Sequence, residues 1–166
     1  MDISATVSAH GVLDAVDRAA EVELSSDQPL APKFYSDFAW ALIAAGNPKS
    51  AQFAAARSPQ PDAVVTQCAV ALLADDWTSA LSAARSVSAS AVSTAALATI
   101  ETRAVEAYCR VYRGATAEEA RAHFGIKATA TPQSASIGVA QRKNDDLLAA
   151  VAQSALVMRQ PVDRFA

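Results

Sequence analysis

The sequence has few of the residues on which common ligand-binding motifs depend. Only five glycines occur in 166 residues, and none stands in a Gly-x-Gly pattern or directly before a lysine. A phosphate-binding loop and a dinucleotide fingerprint are therefore excluded, because both need glycine where the backbone approaches phosphate.

The two histidines, His10 and His123, each lack a second His or Cys within a helical turn. No local zinc motif follows from them, and we expect no metal or cofactor.

Catalytic constellations are missing as well. Serine is abundant, but no serine lies in the Gly-x-Ser-x-Gly pattern of a nucleophile elbow. The acidic pairs at residues 75–76 and 145–146 are neighbours in sequence, and neighbouring residues on a helix do not face one another. We interpret both pairs as charges at helix ends. The sequence therefore predicts a protein that is not an enzyme and has no catalytic residues.

A basic patch is the third absence. Lysine and arginine total 14 against 17 acidic residues, and residues 1–33 carry six acids but two bases. This balance does not favour nucleic-acid binding.

The longest uncharged run, residues 86–100, is too short and too rich in Ser and Thr to cross a bilayer, and no signal peptide is recognisable. Cys68 and Cys109 lie far apart in helical segments, which is typical of reduced, buried thiols. We expect a soluble intracellular protein without a membrane segment.

Helical periodicity runs through most of the chain. Apolar residues make up 52% of the sequence, and much of this fraction is alanine, which favours closely packed helices. Helices are predicted over residues 7–24, 34–45, 48–57, 62–75, 77–87, 91–113 and 117–124, with another from residue 144. The four between residues 34 and 87 form two hairpins, and this pattern predicts a tetratricopeptide-like array. Trp40 and Trp77 are interpreted as packing residues of these hairpins.

Two of these helices have clear predicted faces. In the first, the predicted apolar side comprises Leu13, Val16, Ala20 and Leu24. In the long helix from residue 91, the apolar face comprises Leu97, Ile100, Ala104, Tyr108 and Val111. After a turn at Gly114, Thr116 and Glu119 form a capping box for a short helix that Gly125 ends.

The last forty residues differ in pattern from the rest. Residues 128–141 carry no charge, and Ile137 and Val139 alternate with small residues, which predicts short wing strands. Asp145 and Asp146 then open a helix whose apolar face has nothing left in the chain that must cover it; this face comprises Leu147, Leu148, Val151, Ala155 and Met158. We predict a mainly α protein with a helical-repeat region over residues 1–113, a winged-helix-like module over 114–143, and a C-terminal helix over 144–166.

Several of these segments, in order, resemble one family. The run YSDFAWALIAAGNPKSAQF at residues 35–53 is similar to the helical hairpin of the COP9 signalosome subunit 8 family, and LLADDW at residues 72–77 is similar to its Leu-Trp-x-x-Asp-aromatic segment. TIETR at residues 99–103 and HFGI at 123–126 resemble its long helix and first winged-helix turn. Family members place a second helix and a tryptophan after this turn. Residues 127–143 are short, polar and without tryptophan, so the predicted module is a truncated one.

The resemblance implies a function in assembly. Such a chain would be a non-catalytic scaffold subunit of the complex that removes Nedd8 from cullin-RING ubiquitin ligases, found in the nucleus and cytoplasm. Its partners would be other PCI-type subunits, contacted through a winged-helix edge at Ile137 and Val139 and a bundle formed by the C-terminal helix. The corresponding subunits of the proteasome lid and translation initiation factor 3 belong to the same family and remain alternatives. A different class is also open: a free helical-repeat adaptor that binds peptides through Tyr35 or Trp40.

Overall fold

The computed structural model describes residues 1–28 and 30–127. Within these residues the chain forms eight α-helices and no strand, so the prediction of a mainly α protein is confirmed. The stretch Met1–Lys127 is one compact unit. In chain order the helices are α1 (Ile3–His10), α2 (Val12–Ser25), α3 (Pro32–Ala44), α4 (Pro48–Ala56), α5 (Ala63–Leu73), α6 (Trp77–Ser86), α7 (Ala91–Val111) and α8 (Ala117–His123).

Local sequence chemistry sets most of the helix starts. A polar side chain at the N-cap accepts a hydrogen bond from a backbone N–H of the first turn and so satisfies a donor that the helix itself leaves free. This happens at six helices, whose N-caps are Asp2, Asn47, Asp62, Asp76, Ser90 and Thr116. The starts predicted near residues 48, 62, 77 and 117 agree with these caps.

The single predicted first helix is wrong, because the chain breaks at Gly11. This residue has φ of 91° and ψ of 174°, a conformation that essentially only glycine adopts, and it separates α1 from α2. The predicted apolar side is also wrong in part: Leu13 is exposed and Leu24 is 88% exposed. Ala15 and Ala19 are the residues of α2 that are fully buried. Small side chains on this side let α2 approach its neighbour closely.

Helix α3 lies at the centre of the bundle. It packs against α1, α2, α4, α5 and α7. No charged residue occurs between Asp37 and Lys49, and a helix that is apolar on all sides is normally buried. The buried side chains of α3 include Phe34, Phe38, Trp40, Leu42 and Ile43.

Helices α3 to α7 close into a ring. Each helix packs against the next, so both predicted hairpins are present, but α7 returns to pack against α3. In an open repeat stack each repeat contacts only its sequence neighbours. The two hairpins are present, but the predicted tetratricopeptide-like stacking is not confirmed. Two hydrogen bonds hold the closing contact: the Thr99 hydroxyl donates to the Ala44 carbonyl at 3.0 Å, and Arg103 Nη1 donates to the Gly46 carbonyl at 3.3 Å.

The buried face of α7 covers only the first two thirds of the helix. Val92, Ala96, Ile100 and Ala104 recur every four residues and are buried. Of the predicted face, Ile100 and Ala104 are confirmed, Leu97 and Tyr108 are half-buried, and Val111 is exposed. The prediction fails at Val111 because α7 continues beyond the core after Ala104.

The C-terminal predictions cannot be placed on this fold. Ile137, Val139, Leu147, Leu148, Val151, Ala155 and Met158 lie outside the described residues, as do the predicted wing strands and terminal helix. Helix α8 belongs to the same compact unit as α1–α7, while the division at residues 113 and 143 stays a prediction. No helix within residues 1–28 and 30–127 is long and apolar enough to cross a membrane.

Candidate interaction surface where α7 meets α8

The turn between α7 and α8 is set by residues that the sequence made recognisable. The Tyr112 N–H donates to the Tyr108 carbonyl at the end of α7, and Gly114 then adopts φ of 93°. Thr116 and Glu119 form the predicted capping box: the Glu119 carboxylate accepts from the Thr116 N–H at 2.7 Å, and the Thr116 hydroxyl accepts from the Glu119 N–H at 3.2 Å. Gly125, with φ of 61°, follows α8 as predicted. The two helices are therefore joined by a well-defined turn.

Arg85, at the end of α6, fixes the position of α8. Its Nη1 donates to the Phe124 carbonyl at 3.1 Å, and its Nη2 donates to the Gly125 carbonyl at 3.4 Å and to Glu101 Oε1 on α7 at 3.2 Å. The carbonyls after α8 have no partner within the helix, and a cation is favourable at that end. A planar guanidinium can serve several acceptors at once, so one side chain ties α6, α7 and α8 together.

Four aromatic side chains cluster beside this joint. The Tyr108 ring lies 4.5 Å from the Tyr112 ring and 4.9 Å from the His123 ring, measured between centroids. Phe124 meets Tyr108 edge-on at 5.9 Å and His123 edge-on at 4.9 Å. Such offset and edge-to-face arrangements are favourable for aromatic rings. We call this group the aromatic cluster; it comprises Tyr108, Tyr112, His123 and Phe124.

The aromatic cluster is open to solvent on one side. Tyr112 is 57% exposed, its neighbour Val111 is 72% exposed, and His123 is exposed. Phe124 is half-buried and packs against the core, so it anchors the cluster to the bundle. Exposed tyrosine on a rigid base is typical of protein–protein interfaces, because its ring supplies a large contact area with few rotatable bonds.

A groove of about 460 Å³ lies between α6 and α8, next to the cluster. Its lining combines small hydroxyl side chains with the Arg85 guanidinium and two rings; the lining residues are Thr78, Leu81, Ser82, Arg85, Ser86, His123 and Phe124. The Ser86 hydroxyl donates to the Ala83 carbonyl of its own helix at 2.8 Å. Within the described part of the chain, no three His, Cys, Asp or Glu side chains gather closely enough to hold a metal ion.

The cysteines are both free thiols in the structure, but their environments differ. Cys68 is buried in α5, where its Sγ donates to the Ala80 carbonyl at 3.6 Å, and burial raises its pKa to about 12. Cys109 is only half-buried on α7. The prediction of a buried thiol is therefore confirmed for Cys68, whereas Cys109 is less buried than predicted.

Of the two predicted peptide-binding anchors, Trp40 is not on the surface and Tyr35 is only partly exposed. Trp40 is buried in the centre of α3, and Tyr35 is half-buried with its ring edge-on to Phe34 at 5.6 Å. The packing interpretation is confirmed for Trp40, whereas Trp77 packs against the core only in part. The predicted role of Trp40 as an exposed recognition anchor is wrong, because the ring forms part of the core.

Arg85 and Tyr112 were not singled out by the sequence. Tyr112 had a usable signal, since it follows Tyr108 by four residues and therefore shares its helix face. Arg85 had none, because its acceptors at residues 124 and 125 are 39 and 40 positions away. Comparisons of this chain with protein-family models, with curated proteins and with solved structures found no match.

Proposed function

We propose that this protein is a non-catalytic scaffold subunit of a multi-subunit complex. The observation that carries the proposal is the aromatic cluster, which is anchored on the bundle and open to solvent where α7 meets α8. The identity of the complex is proposed from the sequence resemblance alone, and the COP9 signalosome is the first choice. In that complex the chain would support removal of Nedd8 from cullins, with a different subunit carrying the metalloprotease site.

The position of the cluster in the chain fits this role. Helix α8 ends at His123, and the residues proposed to bind neighbouring subunits follow within the next 35 positions: Ile137, Val139, Leu147, Leu148, Val151, Ala155 and Met158. A contact at the cluster would therefore precede these residues directly in the sequence.

Arg85 gives the surface a defined geometry before any partner binds. Its three hydrogen bonds reach α7 and the two residues after α8, so the rings of Tyr108 and His123 are held against one another. Association is weakened when loops and side chains must first be ordered. A surface that is ordered in advance avoids much of that loss, which favours a constitutive subunit contact.

The test is recovery of the complex from the cells in which the protein is made. The tagged full chain is purified by affinity and gel filtration, and bound proteins are identified by mass spectrometry. Recovery of a large assembly with cullin-directed deneddylase activity supports the signalosome proposal. Co-purification of proteasome-lid or initiation-factor subunits would retain the scaffold function and change the complex. A monomer without stable partners would contradict both.

Surface variants locate the contact. Val111→Ser combined with Tyr112→Ala should reduce recovery of the assembly about tenfold or more, as expected for truncation of interface aromatic residues. Leu24→Ser is the matched control, because it removes an exposed apolar side chain on α2. Leu147→Ser with Leu148→Ser tests the predicted C-terminal helix in the same way. Equal recovery of the Val111/Tyr112 variant and the Leu24 control would contradict the role of the aromatic cluster.

A further inference from the structure

Helix α5 has an unusual composition for a helix with an exposed side. Its eleven residues, AVVTQCAVALL, include no charged side chain, and Thr66 and Gln67 are its most polar members. A helix that is apolar on all sides is normally covered on all sides. Here Val70 is 46% exposed and Leu73 is 48% exposed. One side of α5 is therefore uncharged and uncovered within the described residues, and it combines Val70 with Thr66 and Gln67.

A groove of about 610 Å³ runs along this side of α5. The lining comes from the whole length of α5 and from the first turn of α6; it includes Pro61, Thr66, Gln67, Val70, Ala74 and Asp76. We call it the α5 groove. It shares no lining residue with the groove between α6 and α8.

Charge around the α5 groove has one sign. Between residues 58 and 84 the sequence has three acidic residues and no basic residue. Asp62 is engaged within the fold, because it accepts from the Val64 N–H and from the Ser36 hydroxyl. Asp75 and Asp76 are exposed, and Asp76 lines the groove. Asp76 is also the N-cap of α6, where its carboxylate accepts from the Ser79 N–H at 3.0 Å, and hydrogen bonds from Ser79 hold its pKa below the usual range. The apolar groove therefore has a negative end.

The backbone around the groove limits what can occupy it. The wall is helical, so most of its N–H and C=O groups are already paired within α5 and α6. An extended peptide lying there would find few free backbone partners on the protein, so it would gain little from main-chain hydrogen bonds. A helical occupant satisfies its backbone internally and needs only side-chain contacts. At 1.5 Å per residue, α5 offers a wall about 16 Å long, which three turns of such a helix would cover.

We propose that the α5 groove binds an amphipathic helix of a partner protein, with apolar side chains at every third or fourth position against Val70 and a lysine or arginine beside Asp76. This is the helix-in-groove mode of recognition. It is independent of the aromatic cluster and of the identity of the complex. The apolar side chains would supply most of the affinity, and the basic residue would set the direction in which the helix lies.

Two synthetic helical peptides test the proposal directly. Both carry leucine at helical spacing; one has lysine at its polar positions and the other has glutamate. Each is titrated into the 15N-labelled full chain, with binding sites mapped by amide chemical shifts and affinity measured by fluorescence anisotropy. The lysine peptide should bind at least about tenfold more tightly, with the largest shifts at Gln67, Val70 and Ala74. Equal affinities, or shifts centred elsewhere, would overturn the proposal.

Three variants separate the contributions. Val70→Glu places a charge in the apolar wall and should weaken the lysine peptide about tenfold or more, whereas Leu24→Glu makes the same change on exposed α2 and should have no effect. Asp76→Asn retains a good N-cap for α6 but removes the charge, so it should weaken binding about two- to fivefold and reduce its salt dependence. If Val70→Glu and Leu24→Glu bind alike, the groove is not the site.

Sedimentation of the free protein tests whether a second copy of this chain, and not a partner protein, occupies the α5 groove. A concentration-dependent dimer that Val70→Glu abolishes would assign the groove to a second copy of this chain and overturn the proposal. The Val70→Glu variant should still co-purify with the assembly through the aromatic cluster. Failure of this inference is therefore distinguishable from failure of the scaffold function.

Discussion

Gly46 occupies the most constrained position in the turn between α3 and α4. It has φ of 81°, and a Cβ added there would lie 2.2 Å from Arg103 Nη2 and 2.9 Å from Cζ. Arg103 comes from α7 and donates to the Gly46 carbonyl at 3.3 Å. Gly46→Ala should therefore strain the backbone and also displace the side chain that closes the ring of helices.

The expected loss of stability has two parts. A non-glycine residue at positive φ costs about 1 kcal/mol, and loss of an exposed hydrogen bond from a charged donor costs about 1 kcal/mol more. Gly46→Ala should lower the free energy of unfolding by about 2 kcal/mol. Gly114→Ala is the matched control, because Gly114 has φ of 93° but nothing lies within 4 Å of its added Cβ. It should cost only the backbone part, about 1 kcal/mol.

Urea denaturation followed by circular dichroism gives these free energies. Arg103→Ala removes the crowded side chain, so in that background the cost of Gly46→Ala should fall to that of Gly114→Ala, with a coupling energy of about 1 kcal/mol. The reasoning is refuted if the two glycine variants cost the same and the double mutant shows no coupling. That result would mean that the contact between Arg103 of α7 and Gly46 does not contribute to stability.

Four further outcomes follow from individual residues. Ellman's reagent at pH 8 should modify Cys109 in the native protein and Cys68 only after unfolding; two fast-reacting native thiols would contradict this. Because burial raises the pKa of Cys68 from 9.0 to about 12, the unfolded thiol ionises first, and stability should decline as pH rises through this window, but not in Cys68→Ala. Arg85→Ala should speed amide hydrogen exchange in α8 but not in α3, since Arg85 donates to the two carbonyls that follow α8 and makes no hydrogen bond to α3. Gly11→Ala should cost about 1–3 kcal/mol in thermal unfolding, because φ of 91° with ψ of 174° suits only glycine; an unchanged melting temperature would contradict it.

The helix boundaries were predictable because their causes are local. Asn47 before Pro48, Asp62, Asp76 and Thr116 each accept from the backbone two or three positions ahead, and that chemistry is visible in a short window. The break at Gly11 was not recognised, since a lone glycine inside a helical pattern often leaves the helix intact. On its side of the break, α1 contacts α2, α3 and α7.

The buried faces were harder to predict because alanine dominates them. Ala15 and Ala19 are buried while Leu13 and Leu24 are exposed, so the largest apolar residues of α2 do not mark its inner side. Alanine fits either side of a helix, and a pattern rich in it leaves the orientation open. The packing of α7 against α3 was not predicted because its contacts are non-local. Thr99 and Arg103 are more than fifty positions away in sequence from residues 44 and 46, to which they donate.

The candidate binding surfaces lie where apolar sequence continues beyond the core. Helix α7 is 21 residues long, about 31 Å, yet its buried stripe ends at Ala104. A helix end that faced only solvent would not need apolar residues there, but Val111 and Tyr112 occupy the last turn and its cap. Helix α5 shows the same excess at Val70. Packing within the described residues does not explain why these apolar side chains on α7 and α5 are exposed. Isolated exposed apolar residues are, however, ordinary on any protein. The two candidate surfaces differ from such isolated residues in their surroundings. At the aromatic cluster, hydrogen bonds from Arg85 hold α8 in place, and at α5 the exposed Val70 side chain lines a groove with a charged end.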